Sequence, residues 1–241
     1  MAYDHVHLAV ANPQEAHDWY VQHLDGNAAE FPGRVAFQPW PRRPPLPVQF
    51  LFNSAPDAQP SMGSVVERIG FSFANLDEKI AALRAAGIAT SDAPTTNWRT
   101  VLIRDPWGVT IELVQDHSLL GFHHAVLRVP DIDATLGRYR DVFGGTRLRL
   151  NGGIEALRFA NMYLIVLEGD GAAPSRGRAV NHLSWGPTDI KATLERARRA
   201  GMTVTSGPSG PNKFGHYTAF VEDSNGVYVE LVQHSEFLPK P

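Results

Sequence analysis

The stretch GVTIELVQ at 108–115 returns as GVYVELVQ at 226–233, six of eight letters identical and 118 residues further on. A chain that repeats itself at so long a period builds one supersecondary unit more than once and must pack the copies together. Each copy follows a turn-like lead, IRDPW in the first and VEDSN in the second, and each sets a glutamate, Glu112 or Glu230, inside a strongly β-forming run. The repetition reaches upstream: YDHVHLAVANPQEAHDWYVQHLDG at 3–26 lines up with FHHAVLRVPDIDATLGRYRDVFGG at 122–145. Both read as an alternating strand followed by an amphipathic helix that stops at glycine. Asn12 then Pro13 is a cap followed by a first-turn proline, and Asp131 or Asp133 can cap the second copy.

A shorter pair lies inside the halves. IGFSFANLDEKIAALRAAG at 69–87 matches NHLSWGPTDIKATLERARRAG at 181–201, again strand then helix, closed by Gly87 or Gly201. β-rich stretches broken by Gly, Pro and Asp follow every helix. The expectation is an α+β fold of four tandem βαβββ modules, paired into two domains, 1–118 and 119–241. Each domain would carry a curled, concave mixed sheet with its helices outside. QPWPRRPPLP at 38–47 reads as an irregular connection; EGDGAAPSRGR (168–178) and SGPSGPNKFG (206–215) read as mobile loops.

Composition narrows the function. Net charge of −3 offers no basic surface for a polyphosphate, so nucleic acid is not an expected partner. No apolar run reaches the length of a membrane span, and MAYDHVHLAV has no basic leader before an apolar core, so a cytoplasmic protein is expected. With no cysteine, any metal must be held by His, Asp, Glu or water.

On a concave sheet face, side chains recur every second residue, so Glu230 shares its face with Tyr228 and Val232. A carboxylate among apolar neighbours needs a cation. His124 in FHHAVLRV and His182 in VNHLSW sit in corresponding strands of the second half. If its two modules pack as partners, His124, His182 and Glu230 converge as two imidazoles and one carboxylate, a facial set for a divalent metal with three positions open. The alternatives are hydrogen-bonded strand histidines, and a Glu230 paired with Arg128 or Arg158. In the first half His5 matches His124 and Glu112 matches Glu230, but the counterpart of His182 is Gly70. Glu67 falls on the opposite face from Gly70. That half is therefore expected to be metal-free and structural, its Trp19, Phe31, Phe37, Trp40, Phe50, Phe52, Phe71, Phe73, Trp98 and Trp107 serving as core.

The paired openings, the AALRAAG-type helices and the DPWGVTIELV-type endings resemble the vicinal oxygen chelate superfamily of glyoxalases, epimerases, resistance proteins and extradiol dioxygenases. The layout is most similar to the two-domain extradiol enzymes, whose metal slots match His124, His182 and Glu230. The slot for a glyoxalase-type fourth ligand falls near Val166, which cannot coordinate. The extradiol tyrosine slot holds Phe220 and the histidine slot falls near Lys213, which leaves His216, Tyr217 and Tyr228 to move protons. The resemblance implies one divalent ion, Fe(II) first and Mn(II), Zn(II), Ni(II) or Co(II) next, and ring cleavage of a small, oxygen-chelated aromatic substrate. A redox-neutral glyoxalase, epimerase or lyase is the alternative, and a non-catalytic binding protein the second. A small-molecule partner is expected, and a homo-oligomer is compatible.

Overall fold

The computed structural model describes residues 1–31, 34–41, 47–93 and 98–235. Of the proline-rich stretch at 38–47, residues 42–46 lie outside the described residues. The first module is β1 (Ala2–Val10), α1 (Pro13–His23), β2 (Gly26–Phe31), β3 (Arg34–Pro39) and β4 (Gln49–Ser54). The second is β5 (Val66–Ser72), α2 (Leu76–Ala85), β6 (Ser91–Asp92), β7 (Thr100–Arg104) and β8 (Thr110–Val114). The third is β9 (Gly121–Val129), α3 (Ile132–Phe143), β10 (Thr146–Arg149), β11 (Glu155–Arg158) and β12 (Tyr163–Glu168). The fourth is β13 (Val180–Gly186), α4 (Ile190–Arg199), β14 (Thr203–Ser209), β15 (Tyr217–Glu222) and β16 (Tyr228–Gln233). All four are βαβββ units.

Local chemistry sets these boundaries. Asn12, Asn75, Asp131 and Asp189 each accept a backbone N–H of the first turn, so the capping choice in the second copy falls on Asp131. α2 and α4 end where Gly87 and Gly201 take φ of 78° and 80°, a left-handed turn that an L side chain resists. The acidic leads are Asx turns: Asp105 accepts from the N–H of Trp107 and Val109, and Asp223 from those of Asn225 and Val227. The segment at 206–215 is partly ordered, since β14 runs to Ser209 and pairs with β15.

The modules pair across the halves, which corrects the expected pairing. One eight-stranded sheet has the order β14-β15-β16-β13-β1-β4-β3-β2, joining the fourth module to the first. The other has the order β10-β11-β12-β9-β5-β8-β7-β6, joining the third to the second. The short link at 115–120 sets the third module beside the second. The longer segments at 55–65 and 169–179 carry the chain between sheets. Repeated modules offer equivalent edges, so only the packing beneath them selects the partner. Tyr3 of β1 stacks on Phe122 of β9 at 5.4 Å and meets Trp185 of β13 edge-on at 5.1 Å. Phe50 of β4 stacks on Phe71 of β5 at 5.2 Å, so one continuous core joins both sheets.

Most of the expected core aromatics are in place: Phe37, Phe50, Phe52, Phe71 and Phe73 are buried, with Trp19 and Trp107 packed against them. Trp40 is instead 59% exposed, and the side chain of Phe31 lies outside the described residues.

Candidate metal centre

The site begins with a bulge. Between Tyr3 and Val6, β1 carries one residue more than β13. The extra residue lets Asp4 and His5 both face the concave side, while Tyr3, Val6 and Leu8 stay in the core. His7, two residues on, returns to the concave side. β13 contributes His182, which registers with His7, and β16 contributes Glu230 beside Ser184.

One donor atom each from His5, His7, His182 and Glu230 lies within 4.8 Å of the others. His5 Nε2 and His182 Nε2 both stand 3.1 Å from Glu230 Oε2, and His7 Nδ1 is 2.7 Å from His182 Nε2. The far sides of two rings are anchored. His5 Nδ1 lies 2.7 Å from Asp4 Oδ1, and His182 Nδ1 lies 2.9 Å from Asn181 Oδ1. Both oxygens only accept, so each Nδ1 carries a hydrogen and Nε2 is the atom each ring presents to the cluster. That Nε2 donates to Glu230 when protonated and is able to ligate a metal when not. Three imidazoles and a carboxylate gathered this closely form a donor set that suits a divalent transition metal.

The electrostatics agree. Burial opposes ionisation of Glu230, yet hydrogen bonds from His182 and His5 hold it well below the usual carboxylate range. Burial likewise opposes charge on Asp4, but His234 and His5 bring it down to about 2. Burial also works against a charged His5, and its bonds to Asp4 and Glu230 still raise it to about 9. Without a metal, the His5 proton supplies the cation that the carboxylates demand. Asp4→Asn should lower metal affinity about 10–100-fold, the usual cost of losing a ligand's outer partner; chelator competition would measure it. Unchanged affinity would show that Asp4 does not orient His5.

The cluster faces a cavity of about 660 Å³. Leu51, Phe220, Tyr228 and Val232 give it apolar walls, with Gln49 and Asn53 among the polar groups. Phe220 and Tyr228 stack at 4.9 Å, and the Arg176 guanidinium lies 3.7 Å from the centre of the Tyr228 ring. Of the expected proton carriers, His216 and Tyr228 line the cavity. Tyr217 packs against the core, one residue out of phase with His216.

His182 and Glu230 therefore meet as expected, but His124 does not join them. It sits in the other sheet, where its Nε2 is 2.9 Å from Glu112 Oε2. His5 from the first half takes its place, so that half contributes to the cluster rather than standing apart from it. Arg128 and Arg158 are not partners of Glu230: Arg128 bonds Glu67, and Arg158 lies over Tyr163. Val166 is a core residue of β12; the strand beside His5 is β4, with Gln49 in register. Asp4, His7 and His234 were not anticipated. His-x-His in a strand was the readable signal for His7, because alternate residues share a face.

The sequence model of the Glyoxalase/Bleomycin resistance protein/Dioxygenase superfamily matches residues 2–113 and 121–231. The lactoylglutathione lyase of Haemophilus influenzae is 33% identical over 124 residues, covering 46% of this chain and 90% of that protein. The lactoylglutathione lyase of Arabidopsis thaliana is 29% identical over 136 residues, 50% of this chain and 46% of that one. Glyoxalase I from Zea mays superposes with a TM-score of 0.80 over 98% of this chain and 94% of its own, at 17% identity. A protein described as a putative dioxygenase from Bacillus subtilis gives 0.71 over 97% and 85%, also at 17%. At that identity both structures speak for the fold alone. Matched across both halves, the chain belongs to the Glyoxalase/Bleomycin resistance protein/Dioxygenase superfamily.

Proposed function

We propose that the protein is a divalent-metal-dependent, redox-neutral enzyme of the glyoxalase type, rearranging a small substrate through its two adjacent oxygens. The observation that carries this reading is the fourth protein donor. His5, His7, His182 and Glu230 would leave two positions of an octahedral ion, enough for a pair of vicinal oxygens but without a third for dioxygen. The reading of a three-ligand ring-cleaving dioxygenase rested on His124, which lies elsewhere. Iron and oxidoreductase chemistry lose their support with it. The relatives named lactoylglutathione lyase favour the same alternative.

A bound ion would supply Lewis-acid polarisation of the substrate oxygens. The chain's own groups do the rest. Asp4 and Asn181 keep Nε2 of His5 and His182 presented to the cluster. Leu51, Phe220 and Tyr228 hold the carbon skeleton and exclude water. Proton transfer falls to groups that line the cavity: His234, whose Nε2 is bonded to Asp4 Oδ2, and His216, whose ring lies 4.6 Å from that of His234.

The test is reconstitution of metal-free protein with Zn(II), Ni(II), Co(II), Mn(II) or Fe(II). Each form is assayed on the hemithioacetal of glutathione, on those of smaller thiols, and on catechols with an oxygen electrode. Oxygen-independent isomerisation of a hemithioacetal, strongest with Zn(II), Ni(II) or Co(II), is expected. Oxygen uptake with a catechol, or metal-loaded folded protein inert to every hemithioacetal, would overturn the reading.

A further inference from the structure

The second concave sheet repeats the metal centre with two of its four donors replaced, His7 by Val126 and His182 by Arg68. Its β9 bulges at the same place as β1, between Phe122 and Ala125. His123 and His124 therefore stand where Asp4 and His5 stand. His124 Nε2 lies 2.9 Å from Glu112 as His5 Nε2 lies 3.1 Å from Glu230. His123 Nδ1 meets His124 Nδ1 at 2.7 Å, matching the contact of Asp4 with His5. Behind them Asp116 bonds His123 where His234 bonds Asp4, so acid and imidazole have changed places.

Strand register also revises the counterpart of His182. Trp185 pairs with Tyr3 and Phe71 with Phe122; Leu183 pairs with Val6 and Ile69 with Ala125. His182 then corresponds to Arg68, which pairs with Val126, the counterpart of His7. Gly70 corresponds to Ser184, beside the glutamate in both sheets. The N-caps Asn75 and Asp189 hold the same spacing. The match placed on Gly70 was a slip of two residues, which preserves the strand face and so escapes detection by alternation.

Arg68 is largely buried, with its guanidinium Nη1 on Glu112 Oε1 and Nη2 3.7 Å from Glu67. We infer that Arg68 is a built-in cation in the place of a metal ion, closing the second centre and limiting the chain to one metal. The carboxylate still demands positive charge, and a covalently attached guanidinium satisfies it permanently. Trp98 and Tyr163 pack on His123 and join Val126, Ile165 and Leu150 in an apolar cluster, where the other sheet has an open cavity.

The inference does not depend on which reaction the first centre performs, because its readout is bound metal. Metal-free wild type, Arg68→His and His182→Arg are each titrated with Co(II), followed by visible absorption and by metal analysis after desalting. Circular dichroism reports folding. Arg68→His should bind one equivalent more than wild type. His182→Arg should bind one fewer while remaining folded, its arginine taking over Glu230. A folded Arg68→His protein with no added metal would overturn the inference, as would a wild type that binds two equivalents. If Arg68→His fails to fold, His182→Arg decides: folded and metal-free supports the inference, and metal retained sinks it.

Discussion

His5→Ala loses the metal and His124→Ala keeps it. That contrast is the largest expected effect, because it removes a donor whose Nε2 points at Glu230. The affinity loss should exceed the about 10–100-fold typical of an outer partner. His124 touches Glu112 instead, in a buried pair. Its removal should leave metal binding intact and cost about 3 kcal/mol of stability, the low end for a broken buried pair because Arg68 remains on Glu112. Metal analysis and urea unfolding of the two variants read both effects. The reverse pattern, metal lost from His124→Ala and kept by His5→Ala, would mean that each half builds its own sheet.

The second large effect is an acid limb set by His123. Its side chain is fully buried. Burial lowers its pKa to about 4, and the neighbouring His124 adds to this against the opposing hydrogen bond to Asp116. The folded value lies below that of the unfolded chain, so the unfolded state takes up the proton first as pH falls. The neutral ring's contribution is complete above the unfolded value of about 6.5 and is lost as pH drops toward 4. The loss corresponds to about 3 kcal/mol, at 1.36 kcal/mol per pKa unit. Asp105 responds in the opposite sense, since burial raises it to about 6 and its contribution grows as pH falls through that value. Comparing wild type with His123→Gln cancels that background. The stability difference between the two should change by about this amount between pH 7 and pH 4. A difference independent of pH would show that His123 is not kept neutral.

Gly70 supplies a smaller effect from the same neighbourhood. A Cβ built there would lie 2.0 Å from Cε1 of His124. Gly70→Ala should therefore cost about 1–3 kcal/mol through overpacking, measured by urea unfolding. A stability equal to wild type would mean that the ring moves aside freely.

Most of the architecture was legible because it is local. Alternation, caps and glycine stops act over a few residues, so the four βαβββ units, the turns at Asp105 and Asp223, and the concave placement of Tyr228, Glu230 and Val232 follow from neighbours in the chain. His182 and Glu230 could be matched for the same reason, being on adjacent parallel strands β13 and β16 of one module. The bulge at Asp4–His5 was not legible, since an extra residue in one strand shows only against its partner.

The sequence by itself determined the repeating unit, its count and the chemistry that a buried glutamate requires. Tertiary structure decided which histidines answer it. Duplicated strands present equivalent edges, and alternation is unchanged by a two-residue slip, so neither the partner of β13 nor the counterpart of His182 could be chosen locally. Packing made both choices. With Tyr3 against Trp185 and Phe122, β1 lies beside β13, so Glu230 faces His5 and His7 while Glu112 faces His124 and Arg68.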